Sequence, residues 1–440
     1  MSESESAARR ERLRAATSAN KLFVLVAVGA VAWPLVFHYS GLAPAERLKG
    51  LTYPALSGYL YRQTPGQKPS HGIDFSQIHL SARHLNAGEP VYFKVLRGKW
   101  RRRWSSTYHP MVHWLYLPMA VIPFPIALAL HNLGGMAIVL LSAALALRRA
   151  GSLWAFPSIA AAFGAAMFLS PTGLLHLERG QMDLFAAGSF ICVIAMFGPR
   201  MVGWALAAAL FATLKVSAWI FVGFYWIVAA PLWGLRDWRV WVLPAAIGLA
   251  NLVFLSEVKE WIPAFMYVAE NTSRAGPSFT RVLPNSLAHA LPFVSTFLVA
   301  AVAWGVLFWR NQWQDPAARR QVLERISFPL AAVLAIQTIG ATPVTHDYRL
   351  VALLGLLPAL AIWCGREERL AAWLRYAVAL GYAFVMVVAF RIPPFLHTLY
   401  VDVAWLLIWA SVVLLVLTLY LPFRRLREAA SPVRSLSPST

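Results

Sequence analysis

The sequence predicts an all-α polytopic membrane protein, a bundle of about twelve transmembrane helices with a long first extracytoplasmic loop. Three observations carry that prediction. Of 440 residues, 59% are hydrophobic and only 13% charged, and the mean hydropathy of +0.58 is far above that of a soluble domain. The apolar residues fall into blocks of roughly 17–22, the length that crosses a bilayer core. Connections rich in arginine alternate with connections that carry almost none, as the positive-inside bias demands of a chain weaving through a membrane.

Taken in order, residues 1–21 hold Arg9, Arg10, Arg12, Arg14 and Lys21 and read as a cytoplasmic tail. The apolar run 22–39 contains Pro34 and lacks a small-residue cleavage site, so it reads as an uncleaved first span. Residues 41–108 form the first extracytoplasmic loop. From Tyr108 to Leu147 the chain is apolar but punctuated by Pro110, Pro118, Pro123 and Pro125. Clustered prolines interrupt helices, which predicts a short, broken or re-entrant element followed by one full span ending at Arg148-Arg149. Further spans are predicted at 153–170, 181–197, 201–214, 216–233, 239–255, 290–309, 326–341, 350–364, 370–390 and 402–421. The transmembrane domain thus covers 22–423, and the Ser/Pro-rich residues 424–440 make a disordered cytoplasmic tail.

Two readings of the bulk composition are set aside. Cys192 and Cys364 lie in or at the end of apolar blocks with no partner spacing, which supports neither a disulfide framework nor a metal site. The net charge of +20 would suit a nucleic-acid binder, but inside-loop arginines and contact with anionic membrane lipids account for it, so no nucleic acid is expected as a partner.

The outer ends of the predicted spans differ in kind from the inner ends. They carry Asp74, then His176, Glu178, Arg179 and Gln181, then Lys215, then Asn285, and finally His346, Asp347 and Arg349. Polar groups at membrane depth are costly and face a bundle interior or a water-filled cavity. Their gathering on one side argues for a single site facing away from the cytoplasm. Asp74 is a rare acid, one of 19 Asp and Glu, and precedes a helix-like run from Phe75 to Ala87 that stops at Gly88 and Pro90. Capping that helix is its plainest alternative role. One stretch breaks the charge rule: Lys94, Arg97, Lys99, Arg101, Arg102 and Arg103, interleaved with Trp100 and Trp104, lie in the outer loop. Basic residues mixed with tryptophan suit a segment lying along a lipid surface.

Acid, base and cation groups at a bilayer edge suit a substrate with a charged head and a lipid tail, such as a sugar linked to polyprenyl phosphate. Sugar transfer needs a carboxylate to accept the acceptor hydroxyl's proton and cations to stabilise the departing phosphate. Asp74 fits the first role; Lys215, Arg179 and Arg349 fit the second. His346-Asp347 alone is weak evidence for a metal.

Several segments together resemble glycosyltransferase family 87, membrane mannosyl- and arabinofuranosyltransferases of the glycosyltransferase-C superfamily. Asp74-Phe75, Ala82-Arg83 and Asn86 to Tyr92 are similar to the family's first-loop signature. Tyr108-His109-Pro110, with Leu117-Pro118 and Ile122-Pro123, resembles its Tyr-Pro-Pro segment, although His109 stands where the family usually has proline. Gly180-Gln181-Met182-Asp183 is similar to its Gly-Gln-x-Asn/Asp motif. Ala212 to Lys215, Pro284-Asn285-Ser286-Leu287 and His346-Asp347-Tyr348 resemble its later motifs in order. The resemblance spans residues 72 to 360 and implies a glycosyltransferase-C-like bundle and an inverting transfer. The donor would be a polyprenyl-phosphate sugar, with mannose ahead of arabinofuranose. The acceptor would be a cell-envelope glycolipid or polysaccharide, and Asp74 the general base. Gln181, His109, Asn285, His346, Asp347 and Glu178 would join Lys215, Arg179 and Arg349 around the substrate. The family pattern leaves dependence on a divalent cation open. It also implies a bacterial inner membrane with the active face toward the periplasm. The rival classes are a secondary transporter, which predicts internal repeats with paired broken helices, and a flippase for lipid-linked saccharides.

Overall fold

The computed structural model describes residues 73–92, 106–168, 171–271, 283–340 and 347–366. The expected spans at 22–39, 370–390 and 402–421, the basic segment 94–103 and both tails lie outside them. All regular structure within the described residues is helical.

Helix α1 (Ile73–Asn86) arises from apolar residues at helical spacing. Phe75, Ile78 and Ala82 are fully buried, and His79 beside them donates a hydrogen bond from Nε2 to the Ile122 carbonyl at 3.1 Å. It stops where Gly88 takes φ +69 and lets the Gly88 and Glu89 amides bond back to the carbonyls of Leu85 and His84. The proline-punctuated region divides as its sequence suggests. It forms α2 (Pro110–Leu115), a 3₁₀ turn at Leu117–Val121, and the long α3 (Phe124–Arg149), which ends in its two arginines.

The chain then runs through α4 (Phe156–Phe168), α5 (Pro171–Arg179), α6 (Asp183–Met196), α7 (Met201–Leu214) and α8 (Ala218–Trp233). Helix α6 is the axis of the bundle: from Asp183 to Val193 every side chain is buried. Its Ala186, Ala187 and Gly188 are small enough to bring α3, α7 and the backbone near Gly355 into direct contact, the device by which helices associate when no water drives them together.

Beyond α8 the segment expected as a span at 239–255 is helical, and it is followed by a helix the sequence did not suggest. Helix α9 (Val242–Val253), entered through a 3₁₀ turn at Trp238–Trp241, is followed by α10 (Leu255–Asn271) at a bend of 93°. Glu257, Lys259 and Glu260 near the start of α10 put three charged side chains just past the bend. Helix α5 is a second difference, a short helix inside what the sequence suggests is a plain loop. The last described elements are α11 (Asn285–Trp309), α12 (Pro316–Gly340), a 3₁₀ segment at Asp347–Leu356 and α13 (Leu357–Arg366).

Among the described residues three helices, α3, α11 and α12, are long and apolar enough to cross a membrane, or four if the bent pair counts as one crossing; five shorter apolar helices accompany them. Only 28% of the apolar window of α3 is buried and 44% of that of α11, against 83% for α12. The outer helices thus keep lipid-compatible faces, with Leu141, Phe297 and Trp309 exposed, while α12 is enclosed. This is a helical membrane protein.

Candidate functional site

The site begins with α1. Burial of Phe75 fixes the helix's first turn, and its ring stacks on His131 of α3, centroids 4.8 Å apart. His131 is itself held by the Tyr116 hydroxyl at 2.7 Å and the Gln181 carbonyl at 3.1 Å, so α1, α3 and the turn before α6 are locked together. That turn needs Gly180. Its φ is +63, and a Cβ added there would lie 2.6 Å from both Phe75 Cβ and Leu128 Cδ1.

This packing sets Asp74 beside the end of α5. Its Oδ2 atom accepts no hydrogen bond and lies 3.9 Å from Arg179 Nη1. Asp74 sits inside the first helical turn rather than ahead of it, and Oδ2 is not engaged in capping. Lys215, the C-cap of α7, reaches into the same region. Its Nζ donates to Gln181 Oε1 at 3.2 Å and pairs with Asp183 Oδ2 at 3.3 Å. Its ammonium also lies within the electrostatic reach of Arg349 and Asp74. A small cavity of about 10 Å³, space for a water rather than a substrate, adjoins this cluster, lined by Asp183, Ser217, Thr338 and Arg349 among apolar neighbours.

The structure therefore brings Asp74, Arg179, Gln181, Lys215 and Arg349 together. Glu178 is on α5, one residue before Arg179, and partly buried. Asn285 opens α11 and Asp347 opens the 3₁₀ segment; His346 lies outside the described residues. His109 belongs to a different compartment. It caps α2 by accepting the Met111 amide, and its ring is boxed by Trp219, Phe254 and Trp261. Trp261 of α10 in turn donates to the Thr107 carbonyl, so α10 lies over this aromatic compartment.

Three residues of the cluster were given no role by the sequence, although His176 was placed at the outer end and Asp183 in a motif. Asp183 is the buried partner of Lys215. His176 is fully buried, its ring nitrogens make no hydrogen bond, and it lies within the electrostatic reach of Asp183 and Lys215. His131 holds the frame. Each is an ionisable residue in or beside an apolar block, a placement that is itself a signal of function. Among the described residues no group of three His, Cys, Asp or Glu side chains is placed to hold a metal ion.

No family model, curated protein or solved structure matches the chain. What it does rests on the site alone.

Proposed function

We propose that the protein is a membrane glycosyltransferase. It would move a sugar, mannose before arabinofuranose, from a polyprenyl-phosphate donor to a cell-envelope glycolipid or polysaccharide, on the periplasmic face of a bacterial inner membrane. The observation that supports this reading is the Asp74 carboxylate, with Oδ2 accepting no hydrogen bond, 3.9 Å from a guanidinium and within electrostatic reach of the buried Lys215. In this reading the acceptor hydroxyl gives its proton to Asp74 as its oxygen bonds to the anomeric carbon. The bond from that carbon to the donor phosphate breaks, and the phosphate leaves with the electron pair. Arg179 and Arg349 stabilise the charge that develops on it. Lys215, already engaged by Asp183 and Gln181, fixes the floor of the site and adds its field to theirs. Direct transfer of radiolabelled sugar from a lipid phosphate, by purified protein with no ion gradient, tests the proposal. Asp74→Asn should lower turnover by about two orders of magnitude or more while the protein remains folded. Unchanged turnover would remove Asp74 from the mechanism.

A second reading, a proton-coupled transporter, is favoured by one feature: the Asp183–Lys215 pair and the buried His176 lie among the helices rather than at a loop surface. Movement of label only when a gradient is imposed, with no new glycosidic bond, would select it.

A further inference from the structure

A second, roomier cleft among the described residues lies at the other end of the bundle. It has a volume of about 380 Å³ and opens between the last turns of α3, α6 and α8, the first part of α12, and α13. None of the candidate-site residues described above lines it.

Its walls have two characters. One side is apolar, formed by Ile191, Ile194, Leu323 and Ile362. The rim carries Arg149, Arg320 and one carboxylate, Glu324. The Arg149 guanidinium lies against Gly198 and donates to the Ala195 carbonyl, which uses one of its five donors. Arg320 lies over the Trp233 ring, 4.2 Å from its centroid, a contact that fixes the position of the cation without neutralising it. Among the described residues neither arginine is ion-paired with a carboxylate. Two positioned guanidinium groups against one carboxylate leave the rim positive. A guanidinium is also the side chain whose planar fork best matches phosphate.

We propose that this cleft is a site for one anionic glycerophospholipid from the leaflet at the arginine-rich end of the bundle, its phosphate between Arg149 and Arg320 and one acyl chain along the apolar wall. A soluble phosphate compound would use the same two arginines but would leave that wall uncovered.

The test uses the full chain in nanodiscs of phosphatidylcholine, with phosphatidylglycerol added stepwise and retained lipid counted by native mass spectrometry. Wild type should retain one phosphatidylglycerol in preference to phosphatidylcholine. Arg149→Gln with Arg320→Gln should weaken that retention about tenfold or more, as expected when charge-assisted hydrogen bonds are lost. Arg149→Lys with Arg320→Lys should recover part of it, and Arg236→Gln, an exposed loop cation, should have no effect. Equal retention by wild type and the double Gln variant would overturn the site. Displacement of the lipid by millimolar inorganic phosphate would overturn the lipid as occupant. If the Gln variant does not fold, photoactivatable phosphatidylglycerol on wild type decides the matter. Crosslinks on residues 191–198 and 320–327 are expected, and crosslinks confined to other segments would refute the assignment.

Discussion

Lys215 and Asp183 form a buried pair: Nζ lies 3.3 Å from Oδ2, with side chains 9% and 3% exposed. Neither charge has water to fall back on, so the two must be kept or lost together. Lys215→Met or Asp183→Leu alone should each destabilise the protein by about 3–5 kcal/mol, whereas the double substitution should be markedly less costly than the sum. Thermal unfolding in detergent, arranged as a double-mutant cycle, measures this. Additive effects would show that the two charges act independently.

Gly180 makes a separate prediction. Alanine there meets both an unfavourable φ and two atoms at 2.6 Å, one of them the Cβ of Phe75. Gly180→Ala should cost on the order of 2–3 kcal/mol and displace α1, and Asp74 with it. A melting temperature equal to wild type would contradict the close approach.

His131 bridges a hydroxyl and a backbone carbonyl in a dry environment. His131→Phe keeps the stacking on Phe75 but leaves the Tyr116 hydroxyl and the Gln181 carbonyl without that partner, a cost of about 1–3 kcal/mol for each group left unsatisfied. Combining it with Tyr116→Phe should recover part of the loss, as unfolding measurements on the two variants would show.

Asp237 gives a pH signature at the opposite end. Hydrogen bonds from Arg239, at 2.8 Å from Nε and 2.6 Å from Nη2, hold its carboxyl below the ordinary 3.8, at about 2. A carboxyl depressed in the folded state adds stability above its ordinary value and loses it as pH falls toward the depressed one. The gap in melting temperature between wild type and Asp237→Asn should therefore be open at about pH 6 and narrow as pH falls to about pH 2. A gap of constant size across that range would show that titration of Asp237 has no part in it.

Sidedness can be read directly. Single cysteines at Ser76 and Ser286, in a background lacking Cys192 and Cys364, should react with an impermeant thiol reagent on intact cells, and a cysteine at Ala317 should not. The reverse pattern would turn the protein over in the membrane and exclude a periplasmic lipid-linked donor.

Much of this arrangement was legible in the sequence where periodicity or punctuation marks it. Phe75, Ile78 and Ala82 with Gly88 behind them announce α1, and Arg200 with Lys215 brackets α7. The three-residue gap between α7 and α8 shows that Lys215 is held close to the helix ends. Helix α10 was not legible as a separate element, because its break at Phe254 carries neither glycine nor proline. The pairing of Lys215 with Asp183 joins residues far apart in the chain, and no local pattern encodes such a contact. Its place in the Gly180 to Asp183 segment and the cost of an acid in an apolar block pointed to Asp183, but neither named a partner.

The 93° bend between α9 and α10 has a consequence for the lipid around the protein. The straight part before it, Trp238–Val253, measures roughly 24 Å at 1.5 Å per residue, against a bilayer core of about 30 Å. Helix α10 turns away at that depth and adds nothing to the height. A crossing that short is met by local thinning of the membrane or by flanking polar groups reaching outward. Glu257, Lys259 and Glu260 stand at the place where that reach is needed. Where Trp238–Val253 makes the crossing on its own, the leaflet on the α10 side, beside the aromatic box around His109, is expected to be drawn inward.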